Sequence, residues 1–100
     1  MKESKIQAGC KDIAERSGCL WIRLHPPPAG IPDVLLITPQ GRHIWIEFKA
    51  PNGPTRALQH RFARDLEARR VMHWFIRDIE DFDMRLQRMC NDEFHGSLAA

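Results

Sequence analysis

One hundred residues provide for a single domain, 1–100, with one modest core and no room for a second. With 43% hydrophobic and 28% charged residues, the chain is neither disordered, collagen-like nor a coiled coil. A net charge of +2, no apolar run near the roughly 18 residues of a membrane span, and a start without the apolar core of a secretion signal lead to the expectation of a soluble, cytoplasmic protein.

From Glu3 to about Ser17, Ile6, Cys10, Ile13 and Ala14 recur at three- and four-residue steps, which predicts an amphipathic helix stopped by Gly18. Cys19–Leu24 is rich in strand formers and ends at three prolines, Pro26 to Pro28. Asp33–Thr38 is apolar on both faces, as in a strand covered from two sides. Pro39, Gln40 and Gly41 then suit a type I turn closed by a left-handed residue, which returns His43–Lys49 antiparallel.

Ala50–Pro54 is a loop by composition, and Thr55 is the expected N-cap of a helix through about Arg69, its buried stripe formed by Leu58, Phe62 and Leu66. Val71–Ile76 reads as a fourth strand. A last helix from Ile79 to Cys90 carries Ile79, Phe82, Leu86 and Met89 at helical spacing, a stripe for the sheet or for a second subunit, and the tail 91–100 is expected to fray. Helix, three strands, helix, strand and helix make an α/β domain around a mixed four-stranded sheet. The cysteines Cys10, Cys19 and Cys90 form no CxxC pair, so they read as small buried hydrophobes.

The third strand, "IWIEFKAP", carries Glu47 and Lys49 within an apolar run, and burying charge is costly unless something offsets it. Strand alternation puts Glu47 and Lys49 on one face. With a three-residue loop, Thr38 lies opposite Arg42, and counting back sets Asp33 opposite Glu47, Cβ atoms about 5 Å apart. Two such carboxylates repel unless a cation lies between them, and oxygen ligands without His or Cys favour Mg²⁺ or Mn²⁺. With Lys49 beside them, these are the parts for metal-assisted phosphodiester hydrolysis. The competing reading is a Glu47–Lys49 ion pair on a solvated edge.

"GIPDVLLI" and "IEFKAP", with the helix "ALQHRFARDLEARR" and the opening "ESKIQ", resemble the VRR-NUC domain of the PD-(D/E)xK nuclease superfamily from about Glu3 to Phe82. The resemblance implies a restriction-endonuclease-like αβββαβ core plus a C-terminal helix. It implies that Asp33, Glu47 and the Phe48 carbonyl coordinate Mg²⁺, with Mn²⁺ able to substitute, that Lys49 orients or activates the attacking water, and that Gln59 and Glu3, the latter through a water, complete the site. It further implies an endonuclease acting as a homodimer on branched, Holliday-junction-like DNA, in the host cytoplasm for a phage-encoded member. A flap or end nuclease, or a nucleic-acid-binding protein that does not cut, is the alternative. Two departures stand out. The prolines of "HPPPAG" reshape the approach to Asp33. Arg70 stands where the helix is usually closed by Gly; a left-handed Arg costs about 1 kcal/mol or more, so the helix is expected to end differently.

Other residues admit two readings. Glu3 serves the site or the helix dipole, and Gln59 the site or the helix surface. Arg56, Arg61 and Arg64 contact the DNA backbone, with Lys5 and Lys11 from the first helix, or form a solvated face. His25 and His43 are candidate bases set behind Lys49, Trp45 stacks on a base or covers the sheet, and Trp21 and Trp74 belong to the core.

Overall fold

The turn at Pro39–Gly41 forms as its residues require: Gly41 takes φ 89°, its N–H donates to the Thr38 carbonyl at 2.9 Å, and Thr38 and Arg42 close the hairpin. In this computed structural model, which describes the backbone from 1 to 99 and side chains through 91, the elements are α1 (Glu3–Arg16), β1 (Leu20–Arg23), β2 (Val34–Ile37), β3 (His43–Phe48), α2 (Ala57–Ala68), β4 (Met72–Ile76) and α3 (Ile79–Ala99). The last helix passes the expected end at Cys90 and runs on to Ala99, so the tail expected to fray is helical over that stretch.

The sheet order is β1-β2-β3-β4, the first three strands antiparallel and β4 parallel to β3. The parallel pair needs a crossover, and α2 supplies it. Val34, Leu36, Ile44, Ile46, Phe48 and Ile76 are fully buried on one face, against Ile6, Cys10 and Ala14 of α1 and Phe82, Leu86 and Met89 of α3. Burial of each large side chain contributes roughly 1.5–3 kcal/mol. The α3 stripe therefore packs on the sheet. Cys10 and Cys19 are buried and Cys90 is half-buried; burial pushes the Cys10 thiol up to about 12 and keeps it protonated.

The other face is covered by α2, whose Phe62 ring meets Trp45 edge-on at 5.8 Å. Trp45 thus covers the sheet. Two expectations for α2 are corrected, its buried stripe and its N-cap. Leu58 is 54% exposed, and the buried residue of the helix is Ala63, flanked by the half-buried Phe62 and Leu66, because the helix crosses the sheet one turn beyond its start. The N-cap is Arg56, not Thr55; the Thr55 hydroxyl instead meets the His60 ring.

Arg70 does take the left-handed conformation, φ 61°, and the helix ends as it would on Gly. Arg70 N–H donates to the Glu67 carbonyl and Val71 N–H to the Leu66 carbonyl, both at 2.9 Å, a Schellman closure. Gly18 closes α1 with the same pair of bonds. Two satisfied carbonyls and the need to enter β4 outweigh the steric cost at Arg70.

Candidate active site

Four β2–β3 pairs run from Ile37↔His43 to Val34↔Ile46, and one step further Asp33 faces Glu47. Both side chains border a cleft of about 380 Å³ at this end of the sheet. The proline-rich loop forms one wall through Pro28 and Gly30, and the first turn of α2 the other through Arg56 and Gln59. Gly30 takes φ 83° and comes so close to Leu58 that an added Cβ would lie 3.1 Å from the Leu58 Cβ. Only glycine lets the loop close against the helix there.

Asp33 is held by the backbone: its Oδ2 accepts the Phe48 N–H at 3.0 Å. In an extended strand a residue's N–H and C=O point the same way, so the Phe48 carbonyl is turned toward Asp33 too. The next residue alternates, and Lys49 N–H donates to the Ile76 carbonyl of β4. Asp33 thus marks where the β2–β3 ladder passes from backbone carbonyls to a carboxylate.

Glu47 is only 5% exposed, and its two oxygens differ. Oε1 accepts a 2.6 Å hydrogen bond from Gln59 Nε2 and has the Lys49 ammonium at 3.8 Å. Oε2 is buried without a hydrogen-bond partner. Burial, with the charges of Asp33 and Glu3, outweighs Lys49 and the nearby Asp33 backbone N–H and raises the carboxyl to about 7.

Gln59 links this carboxylate to the helix start. Its Oε1 accepts the Arg56 N–H at 2.9 Å while its Nε2 donates to Glu47, so both ends of the amide are assigned by their partners. One side chain caps α2 and fixes Glu47. Asp33, Glu47, Lys49 and Gln59 therefore converge, as does Arg56 on the cleft rim. Glu3, exposed at the start of α1, acts on Glu47 only through its charge. Arg61 borders an adjoining cavity behind Gly30, whereas Arg64 and Lys5 are exposed on their helices. Lys11 lines a separate groove between α1 and β1. His43 lies at the opposite end of β3 from Glu47, and His25 is exposed ahead of the proline loop.

The oxygens able to hold a metal are those of Asp33, Glu47 and the Phe48 carbonyl; among the described residues, no three His, Cys, Asp or Glu side chains form a metal-binding group. A residue that the sequence gives no sign of is Arg77, after β4. Its Nη1 donates to the Ala50 and Gly53 carbonyls at 3.1 and 2.6 Å, clamping the loop between Lys49 and α2. Two carbonyls distant in sequence meet one guanidinium, which no local pattern records.

A mixed sheet covered by α1 and α3 on one side and α2 on the other, with an acidic pair where β2 begins and β3 ends, defines the restriction-endonuclease-like α/β class. The chain is similar to a solved structure titled "VRR_NUC domain", with a TM-score of 0.73 and 23% identity over 85% of this chain and 94% of that one. It has the VRR-NUC fold. No protein-family model matches the chain, and no curated protein matches it. Among the described residues, no helix is long and apolar enough to cross a membrane.

Proposed function

We infer that the chain is a Mg²⁺-dependent endonuclease that hydrolyses DNA phosphodiester bonds, acting as a homodimer on branched DNA. The observation that carries this reading is the asymmetry of Glu47: one oxygen is held by Gln59 and Lys49, while the other is buried beside Asp33 without a well-formed hydrogen bond. A buried orphan oxygen next to a second carboxylate fits a divalent cation, whose charge would offset both the desolvation and the repulsion. Glu47 Oε2, Asp33 Oδ1 and the Phe48 carbonyl would hold it. When bound, it would supply Lewis-acid stabilisation of the charge that develops on the phosphodiester.

The protein's own groups do the rest. Lys49, on the Glu47 face and held at its carboxylate, presents N–H donors to the attacking water and the phosphate oxygens. Gln59 keeps Glu47 in place, and the Arg56 guanidinium on the rim binds the backbone of the strand. A resolved four-way junction carries two symmetric nicks, and the described residues of one chain form one such centre, so a two-fold pair would supply both. The fold shared with a VRR_NUC domain supports the same reaction class.

Linear duplex, flap and four-way junction DNA are incubated with the protein in Mg²⁺ and in chelator. Metal-dependent paired nicks in the junction alone bear out the full reading. Cutting of flaps or ends would displace the junction, and binding without cutting in any metal would overturn the catalytic assignment.

A further inference from the structure

A groove of about 290 Å³ runs between α1 and the edge strand β1, lined by Ser4, Gln7 and Lys11 of the helix and by Trp21 and Arg23 of the strand. The three helix residues lie at i, i+3 and i+7, on one face. The groove shares a sheet end with the catalytic cleft. Arg23 pairs with Val34, and the next residue, Leu24, donates its N–H to the Asp33 carbonyl at 2.9 Å.

Every polar side chain in the groove is a donor or a cation, and no carboxylate lines it. Gln7 Nε2 is buried without a hydrogen-bond partner, a donor that the protein leaves unmatched. The terminal amide torsion is soft, so a small swing brings an N–H to an acceptor in the groove. The Trp21 indole packs against Phe48 and Phe82 on its core side, at centroid distances of 5.7 and 6.4 Å, and its remaining edge borders the groove. Two cations, an unmatched amide, a hydroxyl and an indole edge make a cradle for a phosphate carrying a sugar and base.

We propose that this groove holds a phosphate of the nucleic-acid strand flanking the one that is cut, gripped by Lys11 and Arg23 with Gln7 and Ser4 donating to its oxygens. It rests on the nuclease reading above and adds to it: substrate crosses the end of the sheet, from the α2 side at Arg56 to the α1 side at Lys11. The groove sets which flank of the cut the protein grips.

The test measures binding of junction and linear duplex DNA by the full chain in chelator, over a range of salt, for the parent, for Lys11→Ala with Arg23→Ala, and for Gln7→Leu. A control pair, Arg69→Ala with Arg88→Ala, removes two cations elsewhere. The groove pair is expected to lose about tenfold or more in affinity and to flatten the log–log salt slope by about 1 per lost phosphate contact, with the control pair losing much less. Gln7→Leu is expected to bind several-fold more weakly while melting higher, because it removes the unmatched donor. A groove pair that binds like the control pair, with an unchanged slope, overturns the groove and leaves the nuclease reading standing. A parent that binds no DNA overturns both.

Discussion

Replacing Glu47 by Gln isolates the energetic cost of the site. Burial, first, and then Asp33 raise the Glu47 carboxyl from 4.5 to about 7, which amounts to about 3 kcal/mol of destabilisation once the group is ionised. Because the native state holds this proton more tightly than the unfolded chain, the contribution of Glu47 to stability is greatest below about pH 4.5 and is lost as pH rises through about 7. Gln at this position stays neutral and still accepts the Gln59 N–H. It puts an amide where Oε2 lies buried, and an unmatched donor there costs about 1 kcal/mol. Glu47→Gln should therefore stabilise the metal-free protein by about 2 kcal/mol near pH 8, a rise of about 10 °C in Tm, and by little or nothing near pH 5. Circular-dichroism melts in chelator at both pH values measure this. Mg²⁺ should stabilise the parent by about 2.7 kcal/mol at a hundredfold excess over Kd, raising its Tm, and leave the variant's Tm nearly unchanged. A variant less stable than the parent near pH 8 would refute the burial argument, and equal Mg²⁺ stabilisation of both would remove Glu47 from the ligands.

Lys49→Ala is expected to abolish DNA cutting while leaving binding within a few-fold of the parent, and retained cutting in a nicking assay would exclude it from the chemistry. Arg70→Gly relieves the left-handed Arg and should stabilise the chain by about 1 kcal/mol, or roughly 4–8 °C in Tm, with activity unchanged. Arg77→Ala frees the loop between Lys49 and α2, and it should cost about 2 kcal/mol in denaturant unfolding and lower kcat more than it raises KM. Burial lowers the titration of His73, whose Nε2 has no hydrogen-bond partner, so it weakens the fold as pH falls below about 6.5. His73→Leu should flatten that acid limb, read from Tm against pH.

The acidic pair was legible in the sequence because it depends on local chemistry. The Pro39-Gln40-Gly41 turn determines loop length, loop length determines register, and register sets Asp33 against Glu47. The strands and the α3 stripe likewise follow from alternation and helical spacing, whereas the strand order and the seating of that stripe on the sheet depend on contacts between distant segments. Leu58 and Arg70 misled for the opposite reason. Whether Leu58 is buried depends on where α2 crosses the sheet, and whether Arg70 accepts a positive φ depends on the bonds it closes, neither of which is written within a few residues. The Arg77 clamp and the partnerless Oε2 of Glu47 exist only once distant segments meet.

The Gln59 amide ties two events that are usually separate. The first turn of α2 cannot loosen without releasing Glu47, and Glu47 cannot swing away without uncapping α2. Amide hydrogen exchange at Arg56 and His60 thus becomes a remote gauge of the carboxylate: whatever seats Glu47 more firmly should slow exchange at the helix start, well before any product is formed.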